Sequence, residues 1–317
     1  MNILITGCAG FIGYSLALKL LKNKTINIFG LDNLNKFYSV KLKKKRLAKL
    51  KKNKNFLFFR TDLSDKKKLS FIFENKKIDI IFHFAAQAGV RYVSSHPEKF
   101  IQSNILGFHN LVNSSKNYNI KKFFYASSSS VYGDTNKFPV GEKSKLNPKN
   151  IYGLSKKFNE EYVKINSNSK TNYIGLRFFT VYGEWGRPDM LILKYLDCKR
   201  KNKTFFLNNS GNHWRDFTYI DDVTNILSKL LRKQFKENEI YNVCSNQPIL
   251  IKDLISYLNK KTGFNKIKNV GLNNLEVFKT HGKNTKLRRK INFSKYSNFY
   301  KNVDKTVKWF KKYNHLI

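Results

Sequence analysis

An α/β fold, with a doubly wound parallel sheet and a smaller C-terminal lobe, is predicted from two features of the sequence. Short apolar, β-branched runs alternate with helical stretches, which is the pattern of βαβ units on a parallel sheet. Beyond about residue 180 the alternation weakens and Gly, Asn and aromatic residues become irregular. The 317 residues suit roughly two domains of about 150 residues each. With 41% hydrophobic and 15% aromatic residues, the chain can bury a core and is not intrinsically disordered.

The expected strands are Asn2–Thr6, Ile26–Leu31, Phe56–Thr61, Ile78–His83, Lys122–Ser127 and Asn172–Phe178. Helices are expected over Phe11–Lys22, Lys41–Lys52, Pro97–Tyr118 and Ser155–Ile165, with an aromatic helix near Val303–Tyr313. Trp309, Val307 and Phe310 on that last helix read as core packing. The longest apolar runs fall short of the 18 or so residues of a membrane span, and the first eight residues read as a buried strand rather than a signal peptide. Cys8, Cys198 and Cys244 are widely spaced and form no CxxC pair, so a reducing, cytoplasmic setting is expected. The six histidines have no metal-binding spacing, and no metal is expected.

The net charge is +40, and only ten of the 61 basic residues are Arg. Such a charge suits nucleic acid or an anionic membrane surface. The lysines are scattered, however, as in KKNKN at 51–55, DKKK at 65–68 and KRKNK at 199–203, and lysine reads phosphates and bases less well than arginine. The sequence therefore points to a lysine-rich vocabulary on exposed faces, with nucleic acid disfavoured. A positive field would concentrate an anionic small substrate.

The first strand runs straight into Gly7-Cys8-Ala9-Gly10-Phe11-Ile12-Gly13 and then a helix. Glycines at such a turn let backbone N–H groups approach a pyrophosphate at the helix N-terminus. Asp32 ends the second strand, 19 residues after Gly13, where a carboxylate can accept from an adenosine ribose and would repel a 2′-phosphate. Asn33, not Arg, follows it, so NAD is expected rather than NADP. Tyr152 and Lys156 lie four apart on one helix face, so a nearby cation is expected to lower the phenol's pKa and make the pair an acid/base unit. Ser127-Ser128-Ser129-Ser130 stand at a strand end 24 residues upstream, where open α/β sheets meet their ligands.

In this order, the glycine loop, Asp32, the serines and YxxxK resemble the extended short-chain dehydrogenase/reductase family, with its NAD-dependent epimerases and dehydratases on a Rossmann-like sheet. DNLNKFY, HFAAQAGVRY, YASSSSVYG, LRFFTVYG, WGRPDM and RDFTYIDD are most similar to the UDP-glucuronate 4-epimerases, strongly over residues 1 to about 225 and more loosely to the end. The resemblance implies an isomerase that holds NAD and epimerises C4 of a UDP-hexuronate, UDP-glucuronate to UDP-galacturonate, for polysaccharide biosynthesis. It implies an NAD-binding domain over 1–180, to which some later segments return, a UDP-sugar-binding region over 181–317, and a homodimer.

It also implies roles for individual residues. Gly7, Gly10, Phe11, Ile12, Gly13, Asp32 and Asn33 would hold the pyrophosphate and ribose, Asp62 and Leu63 the adenine, and Ala85, Ala86 and Gln87 the nicotinamide side, with Asn104 in support. Tyr152 would be the base, Lys156 its electrostatic helper and ribose clamp, and Ser128 the catalytic hydroxyl. Ser129, Arg91, Thr180, Arg187 and Arg215 would meet the substrate. Thr180 stands where galactose-type epimerases have Asn, and a hydroxyl there suits a hexuronate carboxylate. Ser129 and Ser130 stand where related dehydratases and decarboxylases carry acids, so elimination of water and loss of CO2 are disfavoured. Departures from the pattern are Glu184 after VYG, His213-Trp214 before Arg215, and Gly282 where Ala is frequent. A neutral sugar, UDP-glucose or a UDP-N-acetylhexosamine, is the alternative substrate. A basic nucleic-acid-binding protein on the same fold is the alternative of another class.

Overall fold

The computed structural model describes residues 1–89, 92, 93, 95–166, 170–271 and 277–317. Its strands are β1 (Asn2–Thr6), β2 (Asn27–Asp32), β3 (Phe56–Arg60), β4 (Ile80–His83), β5 (Lys122–Ser128), β6 (Asn172–Phe178), β7 (Thr180–Tyr182), β8 (Phe205–Asn208), β9 (Trp214–Tyr219), β10 (Glu239–Val243), β11 (Pro248–Leu250) and β12 (Ile267–Val270). Seven of them form one sheet in the order β3-β2-β1-β4-β5-β6-β10, and every neighbouring pair is parallel. Strand order reverses between β1 and β4, the place where doubly wound sheets open a crevice at their carboxyl ends.

The strands of this sheet are rich in apolar residues because both sheet faces are covered. Ile3 and Ile5 pack into one core cluster with Leu16, Leu42 and Val223, while Leu4 between them packs into a second with Leu69, Ile72 and Leu111. Helices Phe11–Leu20, Val40–Leu50 and Ile220–Leu231 cover the first face, and Lys66–Asn75 and Gly107–Ser115 the second. β10 lies far beyond residue 180 yet pairs with β6, so the C-terminal half of the chain returns to the main sheet. The remaining strands make two small sheets, β11-β9-β7 and β12-β8.

The strands read from sequence match the observed ones to within two residues at either end. The helices differ more. Pro97–Tyr118 resolves into helical turns at Pro97–Phe100, a wide π-type segment Ile101–Leu106, and Gly107–Ser115. The wide turn carries the fully buried Asn104, whose side chain bonds the backbone of Gln87. The helix expected from Ser155 starts at Ile151 and so includes Tyr152.

That helix, Ile151–Asn166, is fixed to the sheet by a buried charge pair. Glu160 is fully buried and takes Arg177 of β6 in a two-pronged pair, Nε to Oε1 at 2.9 Å and Nη2 to Oε2 at 2.7 Å. Ser127 of β5 donates to the same carboxylate at 2.5 Å, and Arg177 Nη1 also donates to Tyr132 Oη, which in turn donates to Asn242 of β10. Removing one member of a buried pair leaves the other charge stranded in low dielectric. Glu160→Gln should therefore lose about 3–5 kcal/mol of unfolding free energy, read by chemical denaturation. A loss below about 1 kcal/mol would show that the helix is held by packing alone.

Candidate functional site

A cleft of about 980 Å³ opens along the carboxyl ends of the strands. Gly7, which follows β1, has φ +71, and a side chain there would put Cβ 2.7 Å from the Ala85 backbone nitrogen. At Gly13, on the first helix turn, a Cβ would meet the Gly7 carbonyl at 2.3 Å. The loop can only close this tightly with glycine at both positions, and it lines the cleft with Gly7, Gly10, Phe11, Ile12 and Gly13 at the start of a ten-residue helix. Backbone N–H groups so placed suit a pyrophosphate.

Asp32 ends β2 and is buried at the cleft wall, accepting from Ala9 N at 3.0 Å and Leu34 N at 2.8 Å. Burial pushes its carboxyl up, against those bonds and the charge of Lys43. Asp62 is half-buried beyond it and accepts from Asn33 at 2.6 Å and from Ser64. Burial would raise its pKa, but these bonds outweigh that and the net shift is downward. Asn33, Leu63, Ala85 and Ala86 line the same wall. Gln87 and Asn104 lie behind it: Gln87 N donates to Asn104 Oδ1 at 2.7 Å, and Asn104 Nδ2 donates to Gln87 O and to Ser155 on the Tyr152 helix.

At the centre of the cleft stand Ser128, Tyr152 and Lys156. Ser128 ends β5 and caps the turn Ser129–Val131 by accepting from Ser130 N at 3.1 Å. Its hydroxyl donates to Ser130 Oγ at 3.2 Å and lies close enough to the Tyr152 phenol to lower its pKa. The expectation that Lys156 lowers the phenol's pKa is corrected by the structure. Burial raises it, and the groups that pull it down are Ser128 and Arg187. Lys156 is fully buried and its Nζ has no hydrogen-bond partner among the described residues, and burial lowers its pKa to about 8. His83 bonds Thr6 through Nδ1 and is held neutral, its pKa lowered to about 3 by burial and then by the Lys156 charge.

The substrate-side residues read from sequence separate. Ser129 and the half-buried Thr180, at the start of β7, line the cleft. Arg187 lines it too, but Asp189 takes both prongs of its guanidinium, Nε to Oδ1 at 3.0 Å and Nη2 to Oδ2 at 2.5 Å. Arg215 reaches the cleft while donating to the carbonyls of Trp214 and Phe278. Arg91 lies outside the described residues.

Two residues were missed from sequence. Lys43 is buried at the cleft wall, within Coulombic range of Asp32, and donates to Asn35 twice at 2.7 Å. Burial lowers its pKa to about 8. Arg46, one turn further along, is fully buried. Both sit in the run KLKKKR, which reads as solvated charge. The available signal was helical spacing, since Arg46 lies four residues from both Leu42 and Leu50 on the apolar stripe.

The glycine cradle and the unpartnered, buried Lys156 ammonium both call for a ligand rich in oxygen acceptors, and a dinucleotide fits both. The profile of the NAD dependent epimerase/dehydratase family matches residues 3–244. The chain belongs to this family. The epimerase/dehydratase chain is 36% identical to Protein CapI of Staphylococcus aureus, with 99% of each chain covered. It is 33% identical to UDP-glucuronate 4-epimerase 4 of Arabidopsis thaliana, over 99% of this chain and 76% of that one. Its fold superposes on UDP-glucuronic acid 4-epimerase from Bacillus cereus, in complex with UDP-glucuronic acid and NAD, with a TM-score of 0.91 at 29% identity, covering 98% and 99% of the two chains. The UDP-glucose 4-epimerase of Thermotoga maritima, with UDP-glucose, gives 0.89 at 27% identity, covering 98% and 99%. The epimerase/dehydratase family member is an enzyme whose cofactor is NAD.

Two of its departures from the family pattern have local explanations. Glu184 accepts from Tyr219 Oη at 2.6 Å. At Gly282 a Cβ would sit 2.5 Å from the Phe179 ring and 2.6 Å from Cys244 Sγ.

An unpartnered buried lysine opposes folding. Its pKa lies below that of the unfolded chain, so the folded state carries the full penalty below about pH 8, and the penalty fades as pH rises towards the unfolded value near 10.5. Lys156→Met should therefore stabilise the NAD-free protein at pH 7 by about 3 kcal/mol, while impairing activity. The gain should shrink between about pH 8 and 10.5. Chemical denaturation across that range measures it, and a destabilised variant at pH 7 would mean that the ammonium has a partner.

Proposed function

We propose that this enzyme epimerises C4 of UDP-glucuronate to give UDP-galacturonate. The coarser activity, a nucleotide-sugar 4-epimerase, rests on the family and its relatives. What supports the hexuronate is the hydroxyl lining at the sugar end, Ser128, Ser129 and Thr180, with no acid directly after Ser128 to drive dehydration or decarboxylation. When bound, NAD supplies a hydride acceptor that is restored each cycle, and its cationic ring favours a phenolate.

On this reading Tyr152 takes the proton of the C4 hydroxyl as C4 gives up its hydride, and returns that proton to the C4 oxygen once the hydride has come back to the opposite face of the turned 4-keto sugar. Its phenol, raised by burial, is readied by the Ser128 hydroxyl and by the charge of Arg187. Ser128 donates to the oxygen developing at C4. Lys156 holds ribose oxygens of the cofactor, which supply the partners its ammonium needs. Asp32 accepts from the adenosine ribose and repels a 2′-phosphate, while Asn33, Asp62 and Leu63 border the adenine. Ser129 and Thr180 serve the sugar carboxylate from either ring face without the desolvation penalty of a fixed ion pair.

A neutral UDP-hexose is the second reading, and one observation favours it: Asp189 already neutralises Arg187. Turnover on a panel of UDP-glucuronate, UDP-glucose and UDP-N-acetylglucosamine, with the product sugars identified, decides between them. Wild-type preference for a neutral sugar would overturn the hexuronate.

The homodimer implied by the family resemblance would use helices 97–115 and 151–166, where Ile101, Leu106, Leu154 and Ile165 are exposed. Sedimentation velocity tests it. No helix among the described residues is long and apolar enough to cross a membrane. Three free cysteines support a cytoplasmic setting.

Two substitutions test the site directly. Tyr152→Phe removes one oxygen, so turnover should fall about 10²–10⁴-fold while UDP-sugar binding remains, and near-normal turnover would remove Tyr152 as the base. Thr180→Asn should lower kcat/KM on UDP-glucuronate roughly ten- to hundred-fold, the value of one charge-assisted hydrogen bond at about 1.5–3 kcal/mol, and leave UDP-glucose little changed. Equal losses on both sugars would sink the carboxylate role of Thr180.

A further inference from the structure

Arg46 is fully buried, and its guanidinium joins two loops that are far apart in sequence. Nη1 donates to the Ala9 carbonyl at 2.8 Å and to Tyr38 Oη at 2.8 Å. Nη2 donates to the Gly186 carbonyl at 3.0 Å and also to the Trp185 carbonyl. It makes no ion pair among the described residues; three main-chain carbonyls and a phenol take its donors, with the buried Asp32 carboxylate within Coulombic range. Ala9 lies inside the glycine loop. Trp185 and Gly186 directly precede Arg187, which lines the cleft, lies 5.7 Å from the Phe37 ring centroid and acts electrostatically on Tyr152.

The second loop needs holding. Trp185 has φ +60, a left-handed conformation that a bulky residue adopts only when its surroundings enforce it. The rings of Tyr14, Trp309 and Tyr313 pack on its indole, and Arg46 grips its carbonyl. A planar fork with donors in several directions can reach three carbonyls and a phenol at once, whereas a lysine ammonium, a single point on a flexible stem, cannot span them.

We propose that Arg46 is a positioning residue that ties the loop receiving the dinucleotide to the loop aiming Arg187 into the sugar end, so that full affinity for the nucleotide sugar requires the cofactor loop to be in place. This inference rests on the nucleotide-sugar epimerase reading but not on which sugar is used.

The test is a double-mutant cycle on the NAD-loaded enzyme with Arg46→Lys and Arg187→Met, using the UDP-hexose that the wild type turns over fastest, with bound NAD counted per chain. Arg46→Lys should lower kcat/KM about ten-fold, mostly through KM with a smaller fall in kcat as the Arg187 charge shifts away from Tyr152, and should retain less NAD. In the Arg187→Met background the same change should cost less than about two-fold in kcat/KM, because the route through Arg187 is already broken, while the NAD loss persists. Additive losses, a loss confined to kcat, or wild-type NAD content in Arg46→Lys would overturn the proposal. If Arg46→Lys does not fold, Arg46→Gln, which keeps a donor without the buried charge, carries the same cycle. A wild type with no turnover on any UDP-hexose would overturn the epimerase reading instead, and the affinity for UDP by calorimetry would then replace kcat/KM in the cycle.

Discussion

The buried pair between Glu160 and Arg177 is the constraint on which the arrangement of the site depends. Glu160 lies four residues after Lys156 on the helix that carries Tyr152, and the same carboxylate takes the Ser127 hydroxyl next to Ser128. One carboxylate thus sets the helix against the strand end, and with it the spacing between Ser128 and Tyr152. The chain of bonds runs on through Tyr132 to Asn242, whose amide bonds the carbonyls of Val140 and Lys283. Satisfying every member of a buried polar network in one geometry makes alternative packings costly.

Against that rigid frame, the cleft keeps groups that are unfavourable on their own. An ammonium without a partner among the described residues, a phenol held above its ordinary pKa and a carboxylate raised by burial all line one cleft. Each is a cost to the folded chain that a bound cofactor and substrate can offset, the usual trade between stability and activity at functional sites. The neutral His83 beside Lys156 adds no second charge and so spares the site a further penalty.

Much of this was legible in the sequence. The six main strands, the glycine loop, Asp32 and the Tyr152–Lys156 pair were read from local patterns, because strand burial, tight turns and helical spacing are imposed within a few residues. The start of the Tyr152 helix was misplaced. The π-type segment at Asn104 was missed because it follows from a side chain reaching Gln87, seventeen residues away. Lys43 and Arg46 were hidden by composition, since in a chain with a net charge of +40 a lysine run looks like solvated surface.

The sequence by itself determined the sheet, its ligand-binding edge and the residue types gathered there, since periodicity and turn chemistry act locally. Only the tertiary structure decided the electrostatics. Whether a cation lowers the Tyr152 pKa depends on distance and burial, and it brought Arg187 and Ser128 to the phenol while leaving Lys156 unpaired. It also decided that Asp189 occupies Arg187 and that Arg46 joins residues 9 and 186. Such contacts arise where distant segments are packed together, and nothing in the local pattern of either segment specifies the other.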